Sequence, residues 1–369
     1  MTRTNPTESV NVSFAGYVKN RKAKTGSHLE AGGIPDYAYG NDFVLRQKLK
    51  AIPGFYPVAK AIVNTGYGLG AVEDTSVLDP NNSVIGHYYH RQINTLEEIE
   101  KIKMPEIYLD REKNDERREA VTAMFDGILP VRMEGVQPWF NLWDPISVFM
   151  GVEPTLYDIM DRPEFIHAVC RRMTDMRMYE LDEYERLGLL DPWLQTAHCT
   201  YTYTSKQPGP DYDPAKPLAR DCWSVGLAQM FSSVGPQTYD EFEVAYAKEY
   251  LARTGFCNYG CCDPLDRKIG VVRKLPNIRK ISISPWADPK IAAPQMAGDY
   301  ILARKPNPAY VGGVYFDLDG ARKEIKDTLD ACRACGTPSE YILKDISTVQ
   351  YQPERLEQWE KMAMECVQR

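Results

Sequence analysis

Short apolar runs alternating with helix-patterned segments constrain this chain more than any other feature. Residues 256–262 read as a strand, 265–275 as a helix, 278–284 as a strand and 289–297 as a helix. The alternation continues through a strand at 300–303, a helix at 319–334, a strand at 341–344 and a closing helix at 353–367. Strands separated by crossover helices imply a parallel sheet. Polar residues recur at several strand ends. That favours a (β/α)8 barrel of the TIM type within the α/β class over an open doubly wound sheet.

Upstream, 129–133 is strand-like, and 154–189 carries Phe165, Ile166, Val169, Met173, Met176 and Leu181 at helical spacing. Residues 193–202 read as a further strand, leading into a loop at 205–216 rich in proline and glycine. A helix is expected over 236–253, with Thr238 and Glu241 as a capping box and Gly255 as its stop. Residues 1–40 read as an N-terminal arm and 41–369 as the barrel, with 41–127 its least regular part. A helix broken by Pro53 is expected over 41–60. The Gly-Tyr-Gly-Leu-Gly of 66–70 lacks the spacing of a dinucleotide-binding loop.

The net charge of −7 argues against nucleic-acid binding, and the basic run Lys19, Arg21, Lys22 and Lys24 reads as a solvated arm. No run reaches the ~18 apolar residues of a membrane span. The first residues lack an apolar signal core, so the expected compartment is the cytoplasm. Nine cysteines without such a signal are expected to be free thiols, and Cys332-x-x-Cys335 to be structural. Self-association is left open.

Chemistry should sit where strands end. Asn258-Tyr259-Gly260-Cys261-Cys262-Asp263-Pro264-Leu265 and Ile281-Ser282-Ile283-Ser284-Pro285-Trp286-Ala287-Asp288 are the richest such points. On an extended backbone Cys261 and Cys262 point oppositely, so at most one faces a barrel mouth. Of the five histidines, His198 lies at an expected strand end; His167 lies in a helix stripe. His87 and His90 would share a face if their segment were helical. Glu134, Asp144, Asp288 and Asp345 follow apolar runs, and Trp139, Trp143, Trp223 and Trp286 lie beside candidate strand ends, where a planar ligand would use aromatic walls.

The C-terminal half resembles the uroporphyrinogen decarboxylase superfamily, in its corrinoid-linked methyltransferase branch. The resemblance is carried by Trp223-Ser224-Val225-Gly226-Leu227-Ala228-Gln229, Tyr259-Gly260-Cys261-Cys262-Asp263-Pro264-Leu265 and 281–288, with Arg304-Lys305-Pro306-Asn307-Pro308 and Ile342-Leu343-Lys344-Asp345-Ile346-Ser347. It implies a TIM-type barrel that moves a methyl group from a methoxylated aromatic, or a similar small donor, to the cobalt of a corrinoid on a separate protein. For that reaction His198 or Tyr259 is the candidate proton donor, or a metal near Cys261 its equivalent, and Glu134, Trp143, Trp223, Gln229, Trp286 and Arg304 are the candidate substrate contacts. Thiol-methylating members of this branch carry zinc on a His-x-Cys pair and a late cysteine. Here Tyr259-Gly260-Cys261 stands at the first position and Asp345 near the second, so Cys261 and Asp345 are the metal-ligand candidates.

A phenolate leaves an ether poorly, since the parent phenol has a pKa of about 10. Protonating its oxygen would be worth ~10²–10⁴-fold. Two other readings compete. One is a cofactor-free decarboxylase, for which Arg304-Lys305 is the basic pair near a strand end; the other is a non-catalytic protein that binds corrinoid proteins or small ligands.

Overall fold

The computed structural model describes residues 12–16, 55–77, 85–194, 196–202, 204, 206–346 and 348–368, with backbone alone at 12–16, 85, 196 and 197. The basic run at 19–24, most of the expected arm and the expected helix as far as Gly54 lie outside them. Among the described residues no helix is long and apolar enough to cross a membrane.

An α/β architecture is present. Seven strands form the main sheet: β1 (Val12–Gly16), β2 (Trp139–Phe140), β3 (Ser224–Gly226), β4 (Cys257–Tyr259), β5 (Ile278–Ile283), β6 (Ile301–Arg304) and β7 (Ser339–Ile346). Every neighbouring pair is parallel. The order is β1-β7-β6-β5-β4-β3-β2, so β2 to β7 lie side by side in chain order and the first strand lies beside the last. β1 falls within the segment expected to be an arm.

Alternation sorts the side chains. Tyr259, Ile281, Ile283 and Leu302 face the helices and join a core with Phe242, Val244, Ala292 and Met296. Tyr341 and Leu343 do the same with Trp359 and Met362 of the helix Glu354–Val367. The other face carries Val225, Asn258, Lys280, Ser282, Ala303, Glu340 and Lys344, all buried. Val225, Leu227 and Cys261, with Trp139 and Cys262, form a separate small apolar cluster.

Helix ends follow local chemistry. The Asp288 carboxylate accepts from Lys290 N at 2.8 Å and opens the helix Pro289–Met296, and Asp317 opens Leu318–Cys335 by accepting from Gly320 N. Asp288 is thus a helix cap. Gly336, in the left-handed region, ends the second helix.

Several sequence expectations need correction. The segment 193–202 is no parallel strand; Thr196–Ala197 and Thr200–Tyr201 make a short antiparallel hairpin outside the main sheet. The capping box at Thr238 is absent, because Pro236 already occupies the first helical turn. That helical run passes through a π-turn at Asp240–Val244 before Ala245–Leu251. The helix expected over 265–275 shrinks to Ile269–Val272. Tyr56–Ala59 is a strand paired with Val131–Glu134, not part of a helix. His87 lies on the strand Ile85–Tyr89 and His90 just beyond it; they pair separately with Glu73 (2.8 Å) and Asp74 (2.9 Å) rather than sharing a helical face.

Candidate functional site

Gly260 decides the site. Its φ of +91° ends the extended run of β4. A Cβ there would meet Leu265 Cδ1 at 2.4 Å. Once the chain turns, Cys261 and Cys262 no longer point oppositely, contrary to the expectation from an extended backbone. Their sulfurs lie 3.5 Å apart, and Lys344 Nζ of β7 lies 3.2 Å from Cys261 Sγ and 3.1 Å from Cys262 Sγ. His198, in the turn of the hairpin, places Nε2 2.8 Å from Cys261 Sγ. The Trp139 indole packs edge-to-face on that imidazole, with centroids 4.9 Å apart.

The charges settle into one arrangement. Cys262, the less buried thiol, is held below its ordinary pKa, chiefly by a hydrogen bond from Cys261 and then by the Lys344 ammonium. Cys261 is pushed up by that same bond and by burial. Burial opposes the charge on Lys344, but Cys199, Cys261 and the Asp345 carboxylate outweigh it and raise its pKa. His198 falls to about 4 because it is buried and faces Lys344 and Lys305. Cys262 is thus the more acidic member of the thiol pair, beside a neutral imidazole and the Lys344 ammonium. With Cys261 donating to Cys262, the Nε2–H tautomer of His198 donates to Cys261.

Deeper on the same face lie two more lysines. Lys280 Nζ donates to Glu340 Oε2 at 2.7 Å and to Tyr201 O at 2.6 Å, and the Thr200 hydroxyl bonds Glu340. Lys305 is fully buried, and its Nζ donates to Cys199 O at 2.5 Å. Sequence reasoning missed Lys280 and Glu340. The available signal was a charged residue at an inward position of an apolar strand, as in Ile278-Arg279-Lys280-Ile281.

The other expected site residues scatter. Tyr259 faces the helices, where its hydroxyl lies 2.9 Å from both Glu243 Oε1 and Tyr239 Oη. Trp143 is buried on that side and donates from Nε1 to Glu243 Oε2 at 3.0 Å. Trp223 is buried with Lys280 Nζ over its ring. Gln229 is half-buried at the start of the 3-10 turn Gln229–Ser233. Glu134 is buried beside Arg132, and Asp144 bonds Asn141. Arg304 also faces the helices, held by Ser284 O, Ala287 O and Glu324. Trp286 is 75% exposed beyond β5. Asp345 directs its carboxylate to Lys344 Nζ, at 2.9 Å. The structure therefore joins His198 and Cys261, reaches Asp345 through Lys344, and adds Cys262.

Zinc does not fit this donor set. The Lys344 ammonium rests against both sulfurs where a cation would bind, and Asp345 is turned to that lysine. Among the described residues no group of three or more His, Cys, Asp or Glu side chains is arranged so that it could hold a metal ion.

No protein-family model matches the chain, and no curated protein matches it in sequence. Among solved structures it is similar to a methyltransferase from Methanosarcina mazei, at 12% identity over 96% of this chain and 93% of that one, with a TM-score of 0.47. That likeness is too slight to bear on fold or activity, which rest on the strand order and the site.

Proposed function

We propose that the chain is a cytoplasmic methyltransferase that moves a methyl group from a small methoxylated donor to the corrinoid of a partner protein, at the C-terminal mouth of a (β/α)8 barrel. The strand order supports the barrel, because a sheet wound in chain order with its first strand beside its last is one on the way to closing. The observation that carries the function is the convergence of Cys261, Cys262, His198 and Lys344 at the C-terminal ends of parallel strands.

The two sulfurs hold the Lys344 ammonium in place, and the methyl group passes from the donor oxygen to the corrinoid with no bond formed to sulfur. The corrinoid supplies the reduced, nucleophilic centre that takes the methyl group. The fit of such a partner rests on the rim. Trp286, Tyr315 and Tyr351, in the loops after β5, β6 and β7, are 75%, 88% and 102% exposed and could cover a flat macrocycle. Lys344 offers positive charge to the departing oxygen, so the leaving group is stabilised electrostatically. His198, neutral at pH 7, positions Cys261 and does not act as the acid. Tyr259 is occupied on the helix side and takes no part.

The test is spectroscopic. Purified protein, cob(I)alamin and a panel of methoxyarenes should yield methylcobalamin. Lys344→Met and Cys262→Ser should each slow the transfer by roughly 10²-fold or more. No transfer from any member of the panel, or full rates in both variants, would refute the proposal. A second reading, the cofactor-free decarboxylase, draws support from Lys280, Lys305 and Lys344, buried cations on one face. Release of carbon dioxide from an aromatic acid without corrinoid would favour it.

A further inference from the structure

Cys261 and Cys262 are a thiol pair whose own chemistry the transfer reaction leaves unused. That reaction forms no bond to sulfur, and Lys344 already has the Asp345 carboxylate at 2.9 Å. A carboxylate holds an ammonium more firmly than a thiol, which is a weak acceptor. Two sulfurs at this position point to a reaction that belongs to sulfur.

Adjacent cysteines on an extended strand point oppositely. Here the turn after β4 brings the sulfurs to 3.5 Å. Gly260 makes that turn at a φ of +91°, and the Asp263 carboxylate holds it by accepting from Cys261 N at 3.2 Å. The Tyr239 hydroxyl, 3.3 Å from the other Asp263 oxygen, fixes that carboxylate from the helix side. The two thiols are unequally placed. Cys261 is buried, whereas Cys262 is only half-buried and reachable from solvent. The Lys344 ammonium, 3.1 Å from Cys262 Sγ, favours its thiolate, and Cys261 stands beside it as a second thiol. An accessible thiol next to a cation, with another thiol in reach, is the arrangement that reacts with peroxides.

We propose that a hydroperoxide oxidises this pair to a reversible disulfide between Cys261 and Cys262. The Cys262 thiolate attacks one peroxide oxygen, the O–O bond breaks, and the departing alkoxide takes a proton from water. Cys262 is left as a sulfenic acid. Cys261 Sγ then attacks Cys262 Sγ, the S–O bond breaks, and the hydroxyl leaves as water with the Cys261 proton. Two thiols and one hydroperoxide become one disulfide, one alcohol and one water; the sulfurs lose two electrons and the peroxide gains them. A ring closed across a single peptide is strained, so a small dithiol reopens it. A disulfide is a poor acceptor, so closure also releases Lys344 from both sulfurs.

The experiment treats the full chain with one equivalent of hydrogen peroxide, blocks the remaining thiols with iodoacetamide and maps the peptides by mass. Of the nine free thiols, Cys261 and Cys262 should escape alkylation, in one peptide lighter by two hydrogens, and dithiothreitol should restore both. Cys261→Ser should stop at a sulfenic acid on Cys262, captured by dimedone. Lys344→Met should slow the oxidation roughly tenfold. Cys199, whose charge would act on both sulfurs, is the competing partner, and Cys199→Ser should leave closure unchanged. The proposal is overturned by Cys261 and Cys262 remaining free, by a bond from Cys262 to Cys199 or to a second chain, or by sulfinic acid on Cys262 beside an untouched Cys261. The wild-type map alone decides if a variant fails to fold. Closure in a protein that transfers no methyl group would sink the transfer reading and leave this inference standing; transfer by a protein whose pair is inert would do the reverse.

Discussion

At the scale of single residues, Glu243 shows how far burial can move a side chain. It is fully buried in the π-turn and bonded by Tyr259 and Trp143, and burial raises its pKa to about 8. The folded protein therefore keeps a proton that the unfolded chain loses near pH 4.5. Stability should fall as pH rises from about 4.5 to 8, by at most about 1.4 kcal/mol per unit. Urea unfolding at pH 5, 6.5 and 8 should show this slope in the wild type and a flatter one in Glu243→Gln. Equal slopes would mean that Glu243 is ionised in the fold. Residue identity alone pointed to His198, Cys261 and Asp345. It missed Lys280 and the meeting of Cys262 with Lys344, because a lysine in a strand ordinarily reads as surface and only the partner strand shows which way it faces.

Among the elements, the turn after β4 matters most. Gly260→Ala puts a Cβ at positive φ and against Leu265, so it should cost roughly 2–4 kcal/mol. It should also part the two thiols. Denaturant midpoints, together with the rate at which a bifunctional arsenical is captured by the thiol pair, would check both; an unchanged capture rate would mean the turn does not set the thiol geometry. The alternating segments of the C-terminal half were readable because their apolar periods are long and bounded by caps such as Asp288 and Gly336. The hairpin at Thr196–Ala197 and Thr200–Tyr201 was not, because two-residue strands carry no period. Nor could the strand at Ile85–Tyr89 be told from a helix by the spacing of His87 and His90.

On the scale of the whole molecule, neighbouring strands send their C-terminal loops to one side, and those loops expose Trp286, Tyr315 and Tyr351. If that rim receives the corrinoid protein, Trp286→Ala with Tyr315→Ala should raise the KM for the protein-bound acceptor about tenfold. Transfer to free cob(I)alamin should stay at the wild-type rate. An equal loss with both acceptors would place these aromatics in substrate binding rather than docking.

The parallel α/β architecture and the strand end at which thiols gather were legible in the residues alone, because periodicity is a local property. Only the fold decided that Cys261 and Cys262 face the same lysine and that Tyr259 and Arg304 turn to the helices. Each of these depends on strand register and on one positive-φ glycine, which bring together residues separated by scores of positions along the chain.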